Sequence, residues 1–436
     1  MSSTAASGTP EAPGLPLKLI CVLALLSATP PVSTDLYLAS FPEMTSGLHT
    51  DAQHVQLTLT AFLLGIGLGQ LFWGPLSDRY GRWRPMFVGT VVATVASLIS
   101  AMAPSVELLI GARFVQALAA SATLVIGRAV ISDLARGFRA AQAMSLMMTI
   151  NSFAPIAAPV LGGLLAGHVP WRGVLGVIGA VMVIQTVCVL LVVRESLPAD
   201  RRAPALSFRP LGTMIAQPTY RSYALTVGFC FGALMSYISS SSFVYQKVID
   251  LPGWAFGVGF GVNSVALLIA GARSTRRAHR QIHPATTVRL ALPWLLGGTV
   301  GVLACTLSPW PALLLAPLLV TVTAVGFIIG NVVTLAMNQA RLHSGAGSAL
   351  VGASQFLVGG AFSALTGVAG EETAVPMGIC MVVSALLCVL CFGRARATLT
   401  PASEAVFAAP APTQEAPADE ATWVGASAER GDAADR

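Results

Sequence analysis

Residues 74–85 read GPLSDRYGRWRP, placing Asp78, Arg79, Arg82 and Arg84 between two long apolar runs. The rest of the chain makes that concentration unusual. Of its 436 residues only 10% are Asp, Glu, Lys or Arg, and 55% are hydrophobic; the mean hydropathy is +0.74. A soluble fold of this length buries a large core but needs a far more charged surface. So few charges suit a chain whose outer surface faces lipid. The charged stretch then reads as a short connection at a membrane surface.

Crossing a bilayer takes about 20 apolar residues at about 1.5 Å each. Outward from the stretch, such runs lie at 17–41, 54–74, 86–103, 106–130, 142–167, 171–193, 222–246, 254–272, 289–307, 310–338, 346–369 and 373–393. The expected fold class is an all-α membrane protein of twelve transmembrane helices. The gap at 194–221 divides them into an N-terminal half (17–193) and a C-terminal half (222–396). Residues 1–16 lack the basic n-region of a signal peptide, so the first span is expected to be retained. That segment and the Ala-, Pro- and acid-rich tail 397–436 are expected to be disordered.

Loops after even-numbered spans carry Arg79, Arg82 and Arg84, then Arg136 and Arg139, then Arg194, Arg201, Arg202 and Arg209, then Arg273, Arg276, Arg277 and Arg280, then Arg341. Opposite loops hold Arg172 and Lys247 beside Asp51, Glu107, Asp250, Glu371 and Glu372. The positive-inside rule makes the Arg-rich side cytoplasmic, with both termini and the 194–221 linker. The net charge of +6 therefore belongs to loops, not to a nucleic-acid-binding face. Seven cysteines sit in apolar runs and read as small buried hydrophobes; Cys388-x-x-Cys391 has no second ligand pair. No metal or other cofactor is expected. No Walker A, H-E-x-x-H or G-x-S-x-G pattern marks an enzyme or direct ATP use.

The halves echo each other. GPLSDRYGR at 74–82 aligns with GARSTRRAH at 271–279, pairing Gly74 with Gly271, Ser77 with Ser274 and Arg79 with Arg276. Asp78 meets Thr275 instead, and Gly81 meets Ala278. Each copy follows the second span of its half, as expected for a duplicated six-helix unit.

Two ionisable groups lie well inside the spans. Asp35 precedes the outer end of span 1 by six residues, and Arg113 follows the outer end of span 4 by seven. At about 1.5 Å per residue both are roughly 10 Å deep. Such charges normally face a bundle interior or an aqueous cavity. Burial opposes ionisation of Asp35 and a neighbouring guanidinium favours it, so hydration or solute binding would switch its proton. The other reading is a fixed Asp35–Arg113 pair joining spans 1 and 4. Tyr37, Tyr237, Ser241, Asn263, Asn331, Asn338 and Gln355 are candidate solute contacts, and equally candidates for interhelical hydrogen bonds. Span 5 carries Pro155, Pro159, Gly162 and Gly163, which suit a bent helix or close packing.

GPLSDRYGR resembles the signature loop of the major facilitator superfamily, Gly-x-Leu-x-Asp-Arg-x-Gly-Arg. Further stretches extend the resemblance over nearly the whole bundle: DLYLASFP (35–42), RFVQALAAS (113–121) and APVLGG (158–163). The last is similar to the antiporter motif Gly-Pro-x-x-Gly-Gly, with Ala158 for Gly. YISSSSFVYQ (237–246) and GSALVGASQFLVGG (347–360) resemble the Bcr/CflA group of drug/proton antiporters. The resemblance implies two pseudo-symmetric six-helix halves that alternate access, and a bacterial cytoplasmic-membrane monomer exchanging protons for a small antibiotic. It implies proton-coupling roles for Asp35 and Arg113, and a span 5 that prevents uncoupled leak. It also implies a cytoplasmic latch of Gly74, Asp78, Arg79, Gly81, Arg82 and Asp133, with Asp78 capping span 11; the plainer reading of those arginines is orientation alone. Some related exporters carry a second carboxylate two turns before Asp35, where this chain has Ser27. That favours a neutral amphipathic drug such as chloramphenicol. The alternative is a proton symporter or facilitator for a small metabolite.

Overall fold

The structure, a computed structural model, describes residues 16–398 except 136, 309, 341, 342, 369, 371 and 372; the side chains of 137–141, 148–152 and 311 are also outside the described set. Most of both expected disordered ends, together with Arg136, Arg341, Glu371, Glu372 and the Arg139 side chain, therefore lies outside the described residues.

Proline shapes the first span. Pro30 and Pro31 lack N–H groups, so they fit the opening turn of a helix but not its interior. The chain breaks at Ala28 into α1 (Leu17–Ser27) and α2 (Thr29–Asp35), then makes a 3₁₀ turn at Leu38–Ser40 and enters α3 (Phe41–Gly47). The expected single helix 17–41 is thus three pieces, and Asp35 ends the middle one. That break exposes its side chain to the bundle interior rather than to a neighbouring turn of helix.

The GPLSDRYGR stretch also differs from expectation. α4 (Ala52–Tyr80), capped by Asp51 accepting from the His54 amide at 2.8 Å, stays helical through GPLSDRY. The turn is only Gly81–Arg82. Gly81 has φ +88°, a region open chiefly to glycine. Gly74 lies inside α4, where an added Cβ would meet only Val125 at an ordinary 3.8 Å, so close approach does not require it.

The first half continues through α5 (Trp83–Met102), α6 (Val106–Leu134), α7 (Gly137–Leu165) and α8 (Trp171–Val192). The linker contains a short helix, α9 (Arg209–Ala216). The second half comprises α10 (Pro218–Phe243), which ends in a π turn at Val244–Val248, then α11 (Gly253–His279), α12 (Pro284–Thr306), α13 (Leu315–Gln339), α14 (Ser344–Thr366) and α15 (Val375–Ala397). Among the described residues eleven segments are long and apolar enough to cross a membrane, α1–α3 together making one. The fifth span is α7, with a described apolar stretch at Phe153–Leu165.

Large apolar side chains point outward, as at Met102 (79% exposed) and Leu191 (75%). A lipid-facing bundle requires this. Inside, small residues set the spacing. A Cβ on Gly65 would lie 2.5 Å from the Phe114 carbonyl oxygen, and one on Gly69 2.7 Å from that of Leu118, so α4 packs backbone-close on α6. Across the half boundary α4 packs on α14 and α7 on α11.

Candidate functional site

Between the halves lies a cavity of about 260 Å³. α2 contributes Asp35 and Thr34, α10 Phe231 and Tyr237, α11 Phe260, Asn263 and Ser264, and α14 Gln355 and Phe356. Among the described residues Asp35 is the only carboxylate on this wall, and no Lys, Arg or His lines it. Its Oδ1 accepts from Thr34 Oγ1 at 2.8 Å. Asn263 Nδ2 donates to the hydroxyl oxygens of Tyr237 (3.0 Å) and Tyr245 (3.4 Å), while the Tyr237 ring stacks on Phe260. Apolar aromatic walls with a few convergent polar groups are the usual make-up of a small-molecule site.

Arg113 is elsewhere. It is fully buried, donating from Nη1 to Gln116 Oε1 at 2.8 Å and from Nη2 to the Ser33 carbonyl. The rings of Tyr37 and Phe62 cover its guanidinium at 4.5 and 4.2 Å. Among the described residues no ion pair joins it to Asp35, so the expected pair is not made in this conformation. One helix break explains this: the Ser33 carbonyl points to α6 while Asp35, two residues on, faces the cavity.

Of the other expected contacts, Tyr237, Asn263 and Gln355 reach the cavity. Tyr37 does not; its hydroxyl lies 3.1 Å from that of Thr58. The Ser241 hydroxyl turns back onto the Ile238 carbonyl at 2.7 Å. Asn331 Nδ2 donates to Ser274 Oγ (2.6 Å) and the Phe327 carbonyl (2.7 Å), tying α13 to α11. Asn338 sits one residue before the end of α13, far along the helix from the cavity.

α7 runs as one helix through Pro155 and Pro159. Pro159 has no N–H for the carbonyl four residues earlier. That carbonyl, of Pro155, instead accepts from Ser264 Oγ of α11 at 2.8 Å. A turn later, a Cβ on Gly162 would drive into the Leu36 carbonyl at the α2 break, and one on Gly163 would lie 2.9 Å from Gly253 O and Gly257 Cα. Gly162 thus lets α7 pack on α2 within the first half, and Gly163 lets it pack on α11 across the half boundary, at the end of the bundle opposite the Arg-rich loops.

That end is closed by contacts invisible to the motif reading. Gln56 Oε1 of α4 accepts from Thr366 Oγ1 (3.1 Å) and Ser239 Oγ (3.3 Å), and Thr60 Oγ1 donates to Ser363 Oγ at 3.1 Å. Gln246 Nε2 donates to the Ala39 carbonyl at 3.2 Å. All four bonds cross between halves. Gln56→Ala removes two of these bonds, at about 0.5–1.5 kcal/mol each, while the Ser363 carbonyl remains as an acceptor for both hydroxyls. The variant is expected to expose this end more often, measured as faster labelling of a cysteine introduced at Ser239. Unchanged labelling would remove Gln56 from the closure.

At the Arg-rich end a second cavity, about 540 Å³, is lined by both halves and by Ser207, Pro210 and Leu211 of the linker. Arg82 organises its first-half wall. Its Nη1 donates to Asp78 Oδ1 and to Ser77 Oγ (2.8 Å), and its Nε to Asp133 Oδ2 at 2.9 Å. Burial pulls the Arg82 pKa down, but the bonds and charges of Asp133 and Asp78 outweigh it and hold the group above its ordinary value. Glu195, unmarked in the sequence, accepts from the Arg82 amide at 2.7 Å and lies 3.7 Å from Arg202. Asp78 shares the cavity with Ser344, Gly345 and Ala346 at the start of α14, yet among the described residues no side-chain hydrogen bond caps that helix; the expected cap is not formed here. Arg79, beside the Tyr80 ring at 5.3 Å, is not part of the cluster.

Comparison with known proteins follows the same lines. The profile of the Major Facilitator Superfamily matches residues 23–364. The chain is 34% identical over 382 residues to an uncharacterized MFS-type transporter, YdgK, of Bacillus subtilis, covering 86% of this chain and 94% of the relative. It is 29% identical over 377 residues to a bicyclomycin resistance protein homolog of Haemophilus influenzae, covering 84% and 94%. Among solved structures it is similar to a bacterial homolog of the human lysosomal transporter Spinster in an inward-facing, unoccupied conformation, with TM-score 0.64, 17% identity, and 91% and 98% coverage.

Proposed function

The chain belongs to the Major Facilitator Superfamily, and on that premise we propose that it is a proton-coupled antiporter exporting a small neutral amphipathic antibiotic, chloramphenicol or one like it, from a bacterial cell. The observation that carries this reading is that Asp35 is, among the described residues, the single charged group on the wall between the halves. One group there can hold either a proton or a hydrogen bond to a solute, which is the minimum an exchanger needs. Arg113 takes no part in that wall, so Asp35 can exchange its proton for a hydrogen bond to a neutral solute with no competing cation beside it. The cavity of about 260 Å³ is near the small end of drug-sized pockets, which begin at about 300 Å³. Relatives named bicyclomycin resistance protein homolog and multidrug resistance protein MdtL support an antibiotic as cargo.

The positive-inside rule makes the Arg-rich end cytoplasmic. The cavity at that end and the hydrogen-bonded closure at the other then correspond to an inward-facing carrier. Export proceeds when Asp35 releases its proton to the cytoplasm, the drug binds, and the halves rock to open the far side. In this scheme Asp78, Arg82 and Asp133 latch the cytoplasmic end when it closes, and Arg113 steadies the α2 break that carries Asp35.

The test is efflux from inverted vesicles or proteoliposomes with and without a collapsed proton gradient. Drug accumulation indifferent to the gradient would refute antiport, and proton movement in the drug's direction would indicate the symporter alternative. Asp78→Asn is expected to insert normally but slow export by about tenfold, within the usual range of conformational coupling energies. Wild-type turnover in that variant would reduce the cluster to an orientation signal.

A further inference from the structure

We propose that Arg113, Gln116 and Ser33 form a binding site for a small monovalent anion, chloride in the cell. All three are fully shielded from solvent. The guanidinium offers five N–H donors, and its hydrogen bonds go to neutral acceptors, the Ser33 carbonyl, Gln116 Oε1 and the Tyr37 hydroxyl. Arg113 Nε, Gln116 Nε2 and Ser33 Oγ have no hydrogen-bond partner although all are buried. Unpaired buried polar groups are uncommon in folded proteins, and here three sit on adjoining side chains around one cation.

Charge points the same way. A buried cation needs a counter-charge, and among the described residues no carboxylate lies within ion-pairing distance of Arg113. The rings of Tyr37 and Phe62 crowd the guanidinium carbon at 4.5 and 4.2 Å, and Nε is the donor of the group left for a ligand. A water molecule would satisfy some of these donors but would leave the positive charge unopposed and bring two protons of its own. A halide accepts from several donors at once, donates nothing and supplies the charge. Complete burial of the three side chains restricts the ligand to about the size of a single atom.

The test needs no transported solute, so its failure and failure of the transport reading are separate events. Thermal unfolding of the purified full chain is followed while chloride replaces gluconate at constant ionic strength. The expected result is a saturable rise in Tm, reproduced by bromide, with bromide anomalous density beside Arg113 Nε in crystals. Gln116→Ala is expected to raise the half-saturating chloride concentration about tenfold, the loss of one hydrogen bond to a charged group. Arg113→Gln is expected to abolish the response; if it does not fold, Gln116→Ala and the bromide density decide. Equal Tm in gluconate and chloride, an unaltered response in Gln116→Ala or Arg113→Gln, or no bromide density at Arg113 would overturn the proposal.

Discussion

Proteoliposomes carrying Asp35→Asn are expected to let the solute equilibrate but not to concentrate it. An amide has nearly the shape of the carboxyl group and cannot bind or release a proton near neutral pH. Among the described residues the cavity wall offers no second carboxylate to substitute for it. One charge moved through a potential of 100 mV is worth about 2.3 kcal/mol. At 1.4 kcal/mol per tenfold this sustains a solute gradient of about 50-fold. Losing the proton site should therefore reduce the accumulation ratio from that order to about one, while counterflow of labelled against unlabelled drug continues. Concentrative uptake at the wild-type level by the variant would show that the proton travels by another group.

Gly163→Val is expected to disturb the conformational balance more than any other single change at the half boundary. Its added Cβ would lie 2.9 Å from Gly253 O and Gly257 Cα and 3.1 Å from Gly257 N. Each of these atoms is backbone, so relief requires α11 to move away from α7. Overpacking of this kind costs about 1–3 kcal/mol, enough to shift a two-state ratio by about 5–150-fold. Spin labels at positions 168 and 254, both exposed beside this contact, should report a longer mean distance, with export slowed because the closed state is rarer. An unchanged distance distribution would mean that the helices already slide freely there.

What could be read from the sequence follows from what the bilayer imposes. Hydropathy and arginine placement define spans because hydrocarbon excludes charge and backbone disorder alike. Asp35, Asn263, Tyr237 and Gln355 could be picked out because polar groups are costly at that depth. Their meeting at one cavity, and the absence of Arg113 from it, depended on the α2 break. Pro30 and Pro31 signal that break, but their effect on side-chain direction depends on how α2 packs. Gln56, Glu195 and Ser264 were illegible for a different reason. Each acts through a partner more than a hundred residues away, and no local pattern distinguishes a glutamine that bridges two halves from one that faces a loop. The helical course of GPLSDRY was missed because a glycine and a proline resemble a turn, although Pro75 is accommodated within α4.

The hydrogen bond from Ser264 to the Pro155 carbonyl turns a defect of one helix into a built-in spectroscopic gauge. Most carbonyls in a helix keep the same donor whatever the bundle does. This one takes its donor from the opposite half, so its stretching frequency depends on where that half stands. An isotope-shifted carbonyl at position 155 would give an infrared band that rises when the halves separate, recording each turn of the cycle without any added label.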